Sequence, residues 1–470
     1  MRKTGGNSSK WMRGHGHNMG KHRFFYSIFF VLNGIFPVQA EYRETEIGIG
    51  SYETSLNDFD SNNKNSKIVS LQKAAQLVVQ SHPRVAQARG YETREAEMID
   101  VAKAAYYPQV NGGLASRYDR EPSGRYDKKQ IQSFDLNVSQ MIYDFGKTSS
   151  SVRRAEYGSL GAQAQTDLTV EQLIHTATST VIFVALSQKM IELAKEQVQE
   201  VKSLGNLVDK RYKKGASNLS DVLQAKSRLD SVQSQELDAI AQHQRQLKEL
   251  GLLINFPTLI GVSLDGMPPF LEQMCTRPPN WEQIPDFMIA EMEAAQALAE
   301  LDLAKAQELP TISLQGNASR ALNATPNYGS RLDTGVSLNL SMPFYQGGGL
   351  SASKRAAAGS VQAAAARKDE VRLEVRQLLS EVDIRRQNMM QRQNLLTQRV
   401  ENIKGTKDLY KKQYLDLGTR SLVDLLNAEQ EYHQAKVELV NNELDLLLTQ
   451  LDCAYYQGLL AQKFNVSSFN

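Results

Sequence analysis

The sequence predicts a mainly α-helical fold with a small β part, built from a duplicated unit in which a strand leads into a very long helix. The clearest strand lies at residues 332–342, where the even positions carry Leu, Thr, Val, Leu, Leu and Met and the odd positions carry Asp, Gly, Ser, Asn and Ser. A period of two is typical of a strand with one apolar and one polar face. Pro343 ends this pattern, and Gly347, Gly348 and Gly349 form a flexible corner before a helical pattern of more than sixty residues.

The same junction of strand and long helix occurs earlier in the chain. Residues 132–142 place Phe134, Leu136 and Val138 on one face and Ser, Asp and Asn on the other, and Gly146 forms the second corner. Landmarks of the two halves keep a nearly constant spacing, with 202 residues between Gly146 and Gly348 and 203 between Gly215 and Gly418. Such a constant offset indicates an internal duplication.

The chain begins with a predicted signal peptide at residues 1–40, and Met19 is a candidate for the true start. Lys21 to Arg23, the apolar run FFYSIFFVLNGIF and Val38-Gln39-Ala40 supply the charged, apolar and cleavage regions of such a leader. No later stretch approaches the roughly 18 apolar residues of a membrane helix. The net charge of +2 gives no strong field that would attract nucleic acid.

Six segments follow from these patterns. They are the signal peptide (1–40), a polar disordered lead-in (41–67), the first repeat (68–254), a linker rich in Pro and Gly (255–285), the second repeat (286–460) and a tail (461–470). Cys275 and Cys453 do not occupy matching positions in the two repeats, so we expect free or incidental thiols. No cysteine directly follows the predicted cleavage site, so nothing in the sequence supports a lipid anchor at the new N-terminus.

Each repeat is predicted to contain a helix, two strands, a long helix and a shorter helix. In the first repeat the predicted elements are a helix at 70–105, strands at 109–118 and 132–142 with a charged tip between them, and helices at 147–214 and 219–251. In the second repeat they are a helix at 287–308, strands at 311–319 and 332–342, and helices at 350–417 and 422–458. The helix at 147–214 is about 100 Å long at 1.5 Å per residue.

The second long helix carries an apolar residue every seven positions. The positions are Val375, Val382, Met389, Leu396, Ile403 and Tyr410. A sustained repeat of seven predicts supercoiled packing against another helix. An isolated antiparallel coiled coil is the simpler alternative, and the four two-faced strands argue against it.

Four strands cannot form a closed membrane structure on their own. Every backbone polar group must be satisfied within lipid, and known single-chain outer-membrane barrels begin at about eight strands. Each strand has about ten residues, as a tilted membrane strand requires. The sequence therefore predicts an oligomeric β-barrel with long helices extending from one rim, and composition leaves the copy number open.

The chain resembles the TolC family of outer-membrane channel proteins over roughly residues 68–460. The motifs are YPQV and LPTISL before strands, YDFGK and MPFYQGGG at the corners, and the paired turns GASNLSDVLQA and GTRSLVDLLNAEQEY. The resemblance implies a homotrimer with a twelve-stranded barrel in the outer membrane and a helical tunnel across the periplasm. It also implies a periplasmic adaptor and an inner-membrane pump, ABC or other, as partners, and no cofactor.

Two interpretations apply to the turns after Gly215 and Gly418. Asn218 with Asp221, and Ser421 with Asp424, resemble capping-box starts, in which the first side chain accepts an orphan amide proton and the acid favours the positive helix end. Alternatively, three copies bring Asp424 to one axis as an acidic ring that attracts cations. The family resemblance implies that this ring closes the tunnel, with Asn427 in place of its second acid. It further implies inter-helix bonds by Asp221 and Arg420, with Tyr414 one residue further from the glycine than the family tyrosine.

Three functions compete. An exit duct for exported proteins is preferred slightly over a duct for small toxic molecules, because GTRSLVDLLNAEQEY resembles secretion-type members. A soluble periplasmic coiled-coil adaptor would have no two-faced strands. An enzyme is not expected, because the sequence has no phosphate loop and its helical histidines show neither metal spacing nor a neighbouring nucleophile; these are His82, His175, His243 and His433.

Overall fold

The computed structural model describes residues 67–120, 128–264, 275–322 and 332–466. The predicted signal peptide and nearly all of the predicted lead-in lie outside these residues, as do most of the charged strand tip and the loop before the fourth strand. The first repeat consists of β1 (Ile68–Ser70), α1 (Leu71–Ser81), α2 (Pro83–Lys103), β2 (Gln109–Arg120), β3 (Lys128–Tyr143), α3 (Lys147–Lys213) and α4 (Leu219–Leu253). The second consists of β4 (Gly261–Ser263), α5 (Pro285–Ala306), β5 (Thr311–Ala321), β6 (Leu332–Ser341), α6 (Gly349–Lys412), α7 (Leu422–Tyr456) and α8 (Leu460–Lys463).

The helix predicted at 70–105 is in fact two helices, which meet at His82. Pro83 has no amide proton and disfavours helical geometry in the residue before it, and His82 accordingly has extended backbone angles (φ −80°, ψ 128°). The ring of His82 then accepts a hydrogen bond from the Arg84 amide (3.2 Å) and caps α2. Proline therefore starts the second helix here as well as ending the first.

The four long strands form one antiparallel sheet in the order β2-β3-β5-β6. Leu136 lies opposite Gly112 of β2 and Ala318 of β5, so the predicted faces are in register across the sheet. Within the described chain, β2 and β6 each have one edge without a partner strand.

The two faces of this sheet differ in chemistry as predicted. The apolar side chains are exposed, and Val336 in the middle of β6 keeps 79% of its surface accessible. On the other face the Asp135 carboxylate accepts hydrogen bonds from Ser133 (2.9 Å) and Ser319 (2.6 Å). An exposed apolar face beside a hydrogen-bonded polar face is typical of a sheet that meets lipid on one side and water on the other.

Helix α3 contributes its middle third to the main hydrophobic core. Ile174, Val181 and Ile182 are fully buried in a cluster that also contains Leu250 of α4 and Leu451 of α7. One window of α3 is long and apolar enough to cross a membrane by length and composition, contrary to the sequence expectation, but most of it is buried inside the protein. This segment is therefore a core helix.

The predicted heptad positions of α6 all lie on its less accessible side. Val375, Val382 and Leu396 are buried, whereas Arg385 and Arg392 are exposed. The predicted helix at 350–417 ends earlier than expected, because residues Gln413–Leu417 form a π turn. The seven-residue pattern thus identifies the packed side of α6 correctly.

The described residues of the predicted linker, 255–264 and 275–285, contact the rest of the folded chain. Strand β4 pairs in parallel with β1, with Ile68 opposite Gly261. Cys275 forms a disulfide with Cys453 of α7, and their Cα atoms are 5.1 Å apart. The prediction of free thiols is therefore wrong, because the fold brings together two cysteines that are 178 residues apart.

The predicted tail at 461–470 also contributes to the core, since Phe464 and Val466 are buried. The carboxylate of Glu171 in α3 accepts hydrogen bonds from the amides of Leu460 (3.0 Å) and Ala461 (2.9 Å). Burial raises the pKa of Glu171 to about 7, and the two amide donors oppose that increase. The C-terminal segment is thus attached to α3 by a buried carboxyl group.

Candidate functional site

The turns after α3 and α6 meet at one end of the helical part, which we call the tip. Both turns contain a glycine in the left-handed region, Gly215 (φ 74°) and Gly418 (φ 63°). Helices α3 and α4 form one helical hairpin, and α6 and α7 form the other. A small apolar cluster packs the ends of these two hairpins together; it contains Leu204, Val208, Val222, Ala225, Tyr414, Leu422, Leu425 and Leu426. The turns of the two repeats therefore pack against each other in the tip.

Both tip helices have the predicted N-terminal caps. The Asn218 side chain accepts a hydrogen bond from the Asp221 amide (2.9 Å), and the Asp221 carboxylate accepts one from Ser217 (2.6 Å). Ser421 and Asp424 form a reciprocal capping box, with the Asp424 amide donating to Ser421 Oγ (3.2 Å) and the Ser421 amide donating to the Asp424 carboxylate (3.4 Å). The capping interpretation is confirmed for both turns.

Arg420 remains within its own turn in the described chain. Its Nε donates to Gln413 Oε1 (3.1 Å), its guanidinium lies 4.4 Å from the centre of the Tyr410 ring, and its Nη1 is 3.9 Å from the Asp424 carboxylate. No contact between Arg420 and Asp221 is present among the described residues. Asp424 is half-exposed and Asn427 is exposed, so both side chains remain accessible from outside the chain.

The contact that joins the two turns comes from Arg211, a residue that the sequence analysis missed. Its Nη1 donates to the Leu415 carbonyl of the second turn (3.0 Å), and its Nη2 to the Ala216 carbonyl of the first (3.4 Å). The guanidinium also lies 4.9 Å from the centre of the Tyr414 ring. In the sequence Arg211 is one of several basic residues at a helix C-terminus, which ordinarily indicates only a favourable charge for the helix dipole.

Tyr414 is buried in the tip, with 5% of its surface accessible. Its hydroxyl and the Nε of Arg211 are buried without a hydrogen-bond partner in the described residues. The π turn at Gln413–Leu417 takes up one extra residue, which matches the one-residue displacement of Tyr414 from the family pattern. The Tyr414 ring contacts the Arg211 guanidinium of the first turn.

The strand-to-helix corners have the predicted glycines. Gly146 (φ 98°) and Gly348 (φ 79°) precede α3 and α6 in the left-handed conformation, and Gly347 (φ 60°) adjoins the second corner. At this second corner Phe344 has 89% of its surface accessible, and Tyr345 is similarly exposed. Exposed aromatic side chains at the end of a lipid-facing sheet are typical of a membrane–water interface.

The fold therefore defines a class of protein. A lipid-facing sheet with open edges turns through sharp corners into long helices that end in a common tip, which is the form of an outer-membrane channel subunit. The chain belongs to the outer membrane efflux protein family, whose sequence model matches residues 74–255 and 281–452. It is a TolC-type channel protein of the outer membrane that extends into the periplasm, and its family is one of channels rather than enzymes.

Two curated relatives and one solved structure illustrate this similarity. The alkaline protease secretion protein AprF of Pseudomonas aeruginosa is 23% identical over 391 residues, which cover 77% of this chain and 78% of AprF. The outer membrane protein TolC of Escherichia coli is 22% identical over 432 residues, covering 87% of this chain and 85% of TolC. The crystal structure of the outer membrane protein VceC from Vibrio cholerae matches with a TM-score of 0.73 at 18% identity, over 83% of this chain and 96% of VceC.

Proposed function

We propose that the protein is a homotrimeric exit duct that receives cargo from an inner-membrane pump through a periplasmic adaptor. The main supporting observation is the four-stranded sheet, which has two open edges and an exposed apolar face. Backbone groups at an open edge are not satisfied in lipid, so β2 of one copy must pair with β6 of another. Three copies form a twelve-stranded barrel, within the range known for outer-membrane proteins.

The helices carry apolar residues that also require neighbouring copies. On α6, the side chains of Leu373, Ile384 and Leu395 are exposed and spaced eleven residues apart. A repeat of eleven keeps one face of a nearly straight helix toward a partner. Exposed apolar residues also occur on the helices at the opposite side of the chain, at Met98 and Val101 of α2 and at Leu223 and Leu237 of α4. Association of α6 with α2 and α4 of the next copy buries both sets.

The cargo is proposed to be protein. One relative is named an alkaline protease secretion protein, and the second turn motif resembles secretion-type members. Efflux of small molecules is the second candidate, favoured by the description of the family as efflux proteins. Deleting the gene distinguishes the two, since loss of a protein from the culture medium supports export and accumulation of a toxic small molecule supports efflux.

The duct itself is tested by fractionating cells that express the protein, with heat-modifiability and cross-linking of the outer-membrane fraction. The expected result is a detergent-resistant species with the mass of three chains. A species found in the soluble periplasmic fraction would contradict the duct and support the soluble adaptor.

Replacing Asp424 with alanine is expected to weaken the cation preference of the channel in planar bilayers. Three Asp424 carboxylates at one axis attract cations, and alanine removes all three charges. Asp221→Ala is the matched control, because Asp221 occupies the same cap position in the other turn. Equal effects of the two variants, or no effect of Asp424→Ala, would restrict Asp424 to its capping role.

Replacing Arg211 with alanine is expected to increase the basal conductance of the closed channel. The change removes one charge-assisted hydrogen bond and a cation–π contact between the turns, and a second hydrogen bond within the first turn. Hydrogen bonds to charged groups contribute about 1.5–3 kcal/mol each. A shift of the closed-to-open ratio by roughly ten-fold or more is expected. Single-channel recording of closed dwell times measures it.

Arg420→Ala provides the comparison for this result. Within the described chain Arg420 contacts its own turn, so the bond between Arg420 and Asp221 that the family resemblance implies requires a neighbouring copy. A rise in conductance for Arg420→Ala would support that bond between copies. Unchanged conductance for Arg211→Ala would show that Arg211 does not hold the tip closed.

A further inference from the structure

A group of three charged residues, two of them buried and one partly buried, connects three helices above the tip, and the sequence analysis did not identify it. Lys407 of α6 lies between Glu200 of α3 (Nζ–Oε2, 2.9 Å) and Glu429 of α7 (Nζ–Oε2, 3.4 Å). Lys407 has 8% and Glu429 has 7% of its surface accessible. Lysine and glutamate are rarely buried to this extent unless they are paired. We call these three residues the clamp.

A second ion pair lies beside the clamp. Lys436 of α7 contacts Glu196 of α3, one helical turn before Glu200. The ring of Tyr432 lies between the two ammonium groups, 4.3 Å from Lys407 and 5.1 Å from Lys436. The clamp and this pair connect α3 of the first hairpin with α6 and α7 of the second.

Any motion that separates the two hairpins must break these contacts. A buried ion pair that loses one partner leaves an uncompensated charge, which is strongly unfavourable. The clamp therefore adds to the apolar packing between the hairpins while its charges are balanced, and it opposes that packing when they are not.

The charge balance of the clamp depends on one proton. Burial raises the pKa of Glu429, and the adjacent Glu200 carboxylate raises it further. Burial also disfavours ionisation of Glu200, but the hydrogen bond with Glu429 and the contacts with Lys407 lower its pKa overall. The two carboxyl groups therefore share one proton at neutral pH, and together with Lys407 they are electrically neutral.

The other charged and titratable groups in and beside the clamp do not change this charge balance. Lys407 stays charged, because its two carboxylate partners outweigh the effect of burial and raise its pKa. Burial and then Lys436 lower the pKa of His433, against opposing effects of Glu196 and Glu200, which disfavours a charge on its ring. Lys436 is already paired with Glu196.

We propose that the clamp is a proton-operated latch, which holds the two hairpins of each chain together and loosens as the periplasm becomes alkaline. This proposal rests on the proposed function as a duct with a closable tip. Because Glu429 has a higher pKa in the clamped state than in an opened, hydrated state, the clamped state binds more protons. Its stability therefore declines as the pH rises from about 4.5 toward the clamped-state pKa of about 8.

The test is the conductance of the purified oligomer in planar bilayers between pH 6 and pH 9. The open-to-closed ratio is expected to rise with pH, by up to about ten-fold per pH unit for each proton that is released on opening. Glu429→Gln, which cannot ionise and retains a hydrogen-bond donor, is expected to abolish this rise and keep the channel closed. Glu200→Gln removes the carboxylate that raises the pKa of Glu429 in the clamped state, so the rise is expected to level off at lower pH and to be smaller in total.

Glu438→Gln is the matched control. Glu438 pairs with Arg399 between α6 and α7 of the same hairpin, so its replacement is expected to leave the wild-type pH dependence unchanged. A wild-type pH dependence in Glu429→Gln, or no pH dependence in the wild-type channel, would overturn the latch while leaving the duct intact. The absence of any channel conductance would instead overturn the proposed duct.

Discussion

Replacing Val336 with lysine is expected to prevent formation of the outer-membrane oligomer. Val336 lies at the middle of β6 on the apolar face, and most of its surface is accessible. A lysine on the lipid face near the membrane centre destabilises the inserted barrel by about 2–4 kcal/mol per chain. In the proposed trimer this destabilisation applies to all three chains. Cross-linking of the outer-membrane fraction is expected to show at least a ten-fold loss of the oligomer.

Ser337→Lys is the control for this prediction. Ser337 adjoins Val336 in the sequence but lies on the opposite, polar face of the same strand, where water solvates a charge. The oligomer is expected to form normally in this variant. Equal losses for the two variants would show that the two faces of the sheet do not meet different solvents.

Breaking the disulfide between Cys275 and Cys453 is expected to destabilise the folded chain by about 2–5 kcal/mol. The bond closes a loop that contains nearly the whole second repeat, because the two cysteines are 178 residues apart. It also attaches the segment between the repeats to α7, where Cys453 is fully buried. Urea unfolding of the purified protein, followed by circular dichroism with and without a reductant, measures the difference.

The double variant Cys275→Ala/Cys453→Ala provides the comparison. It is expected to unfold at lower urea concentration than the oxidised wild type and to show no response to the reductant. Identical unfolding of the wild type with and without reductant would mean that the bond contributes nothing to stability. Non-reducing electrophoresis confirms which form is present in each sample.

The sequence was sufficient wherever the determining interactions are local. The alternation at 332–342 predicted β6, the glycines at 146 and 348 predicted the corners, and the heptads of α6 predicted its packed side. These features depend on a residue and its near neighbours along the chain. The offset between the repeats then extended each local prediction to the other half of the protein.

The features that the sequence did not reveal depend on contacts between distant residues. Cys275 meets Cys453, Arg211 reaches Leu415, and Lys407 lies beside Glu200 only because the two hairpins pack together. A lysine or arginine within a long amphipathic helix gives no indication that it is buried by another helix. The broken helix at His82 is different, because Pro83 was a local sign of it.

The open edges of the sheet make the unassembled subunit prone to aggregation. In the described sheet of one subunit, the outer edges of β2 and β6 present unpaired amide and carbonyl groups beside a broad apolar surface. Such edges can pair with any exposed strand, and unassembled intermediates of this kind aggregate readily. The subunit therefore requires either a chaperone during export or rapid oligomerisation. We expect overproduction to increase aggregation at the expense of assembled channels.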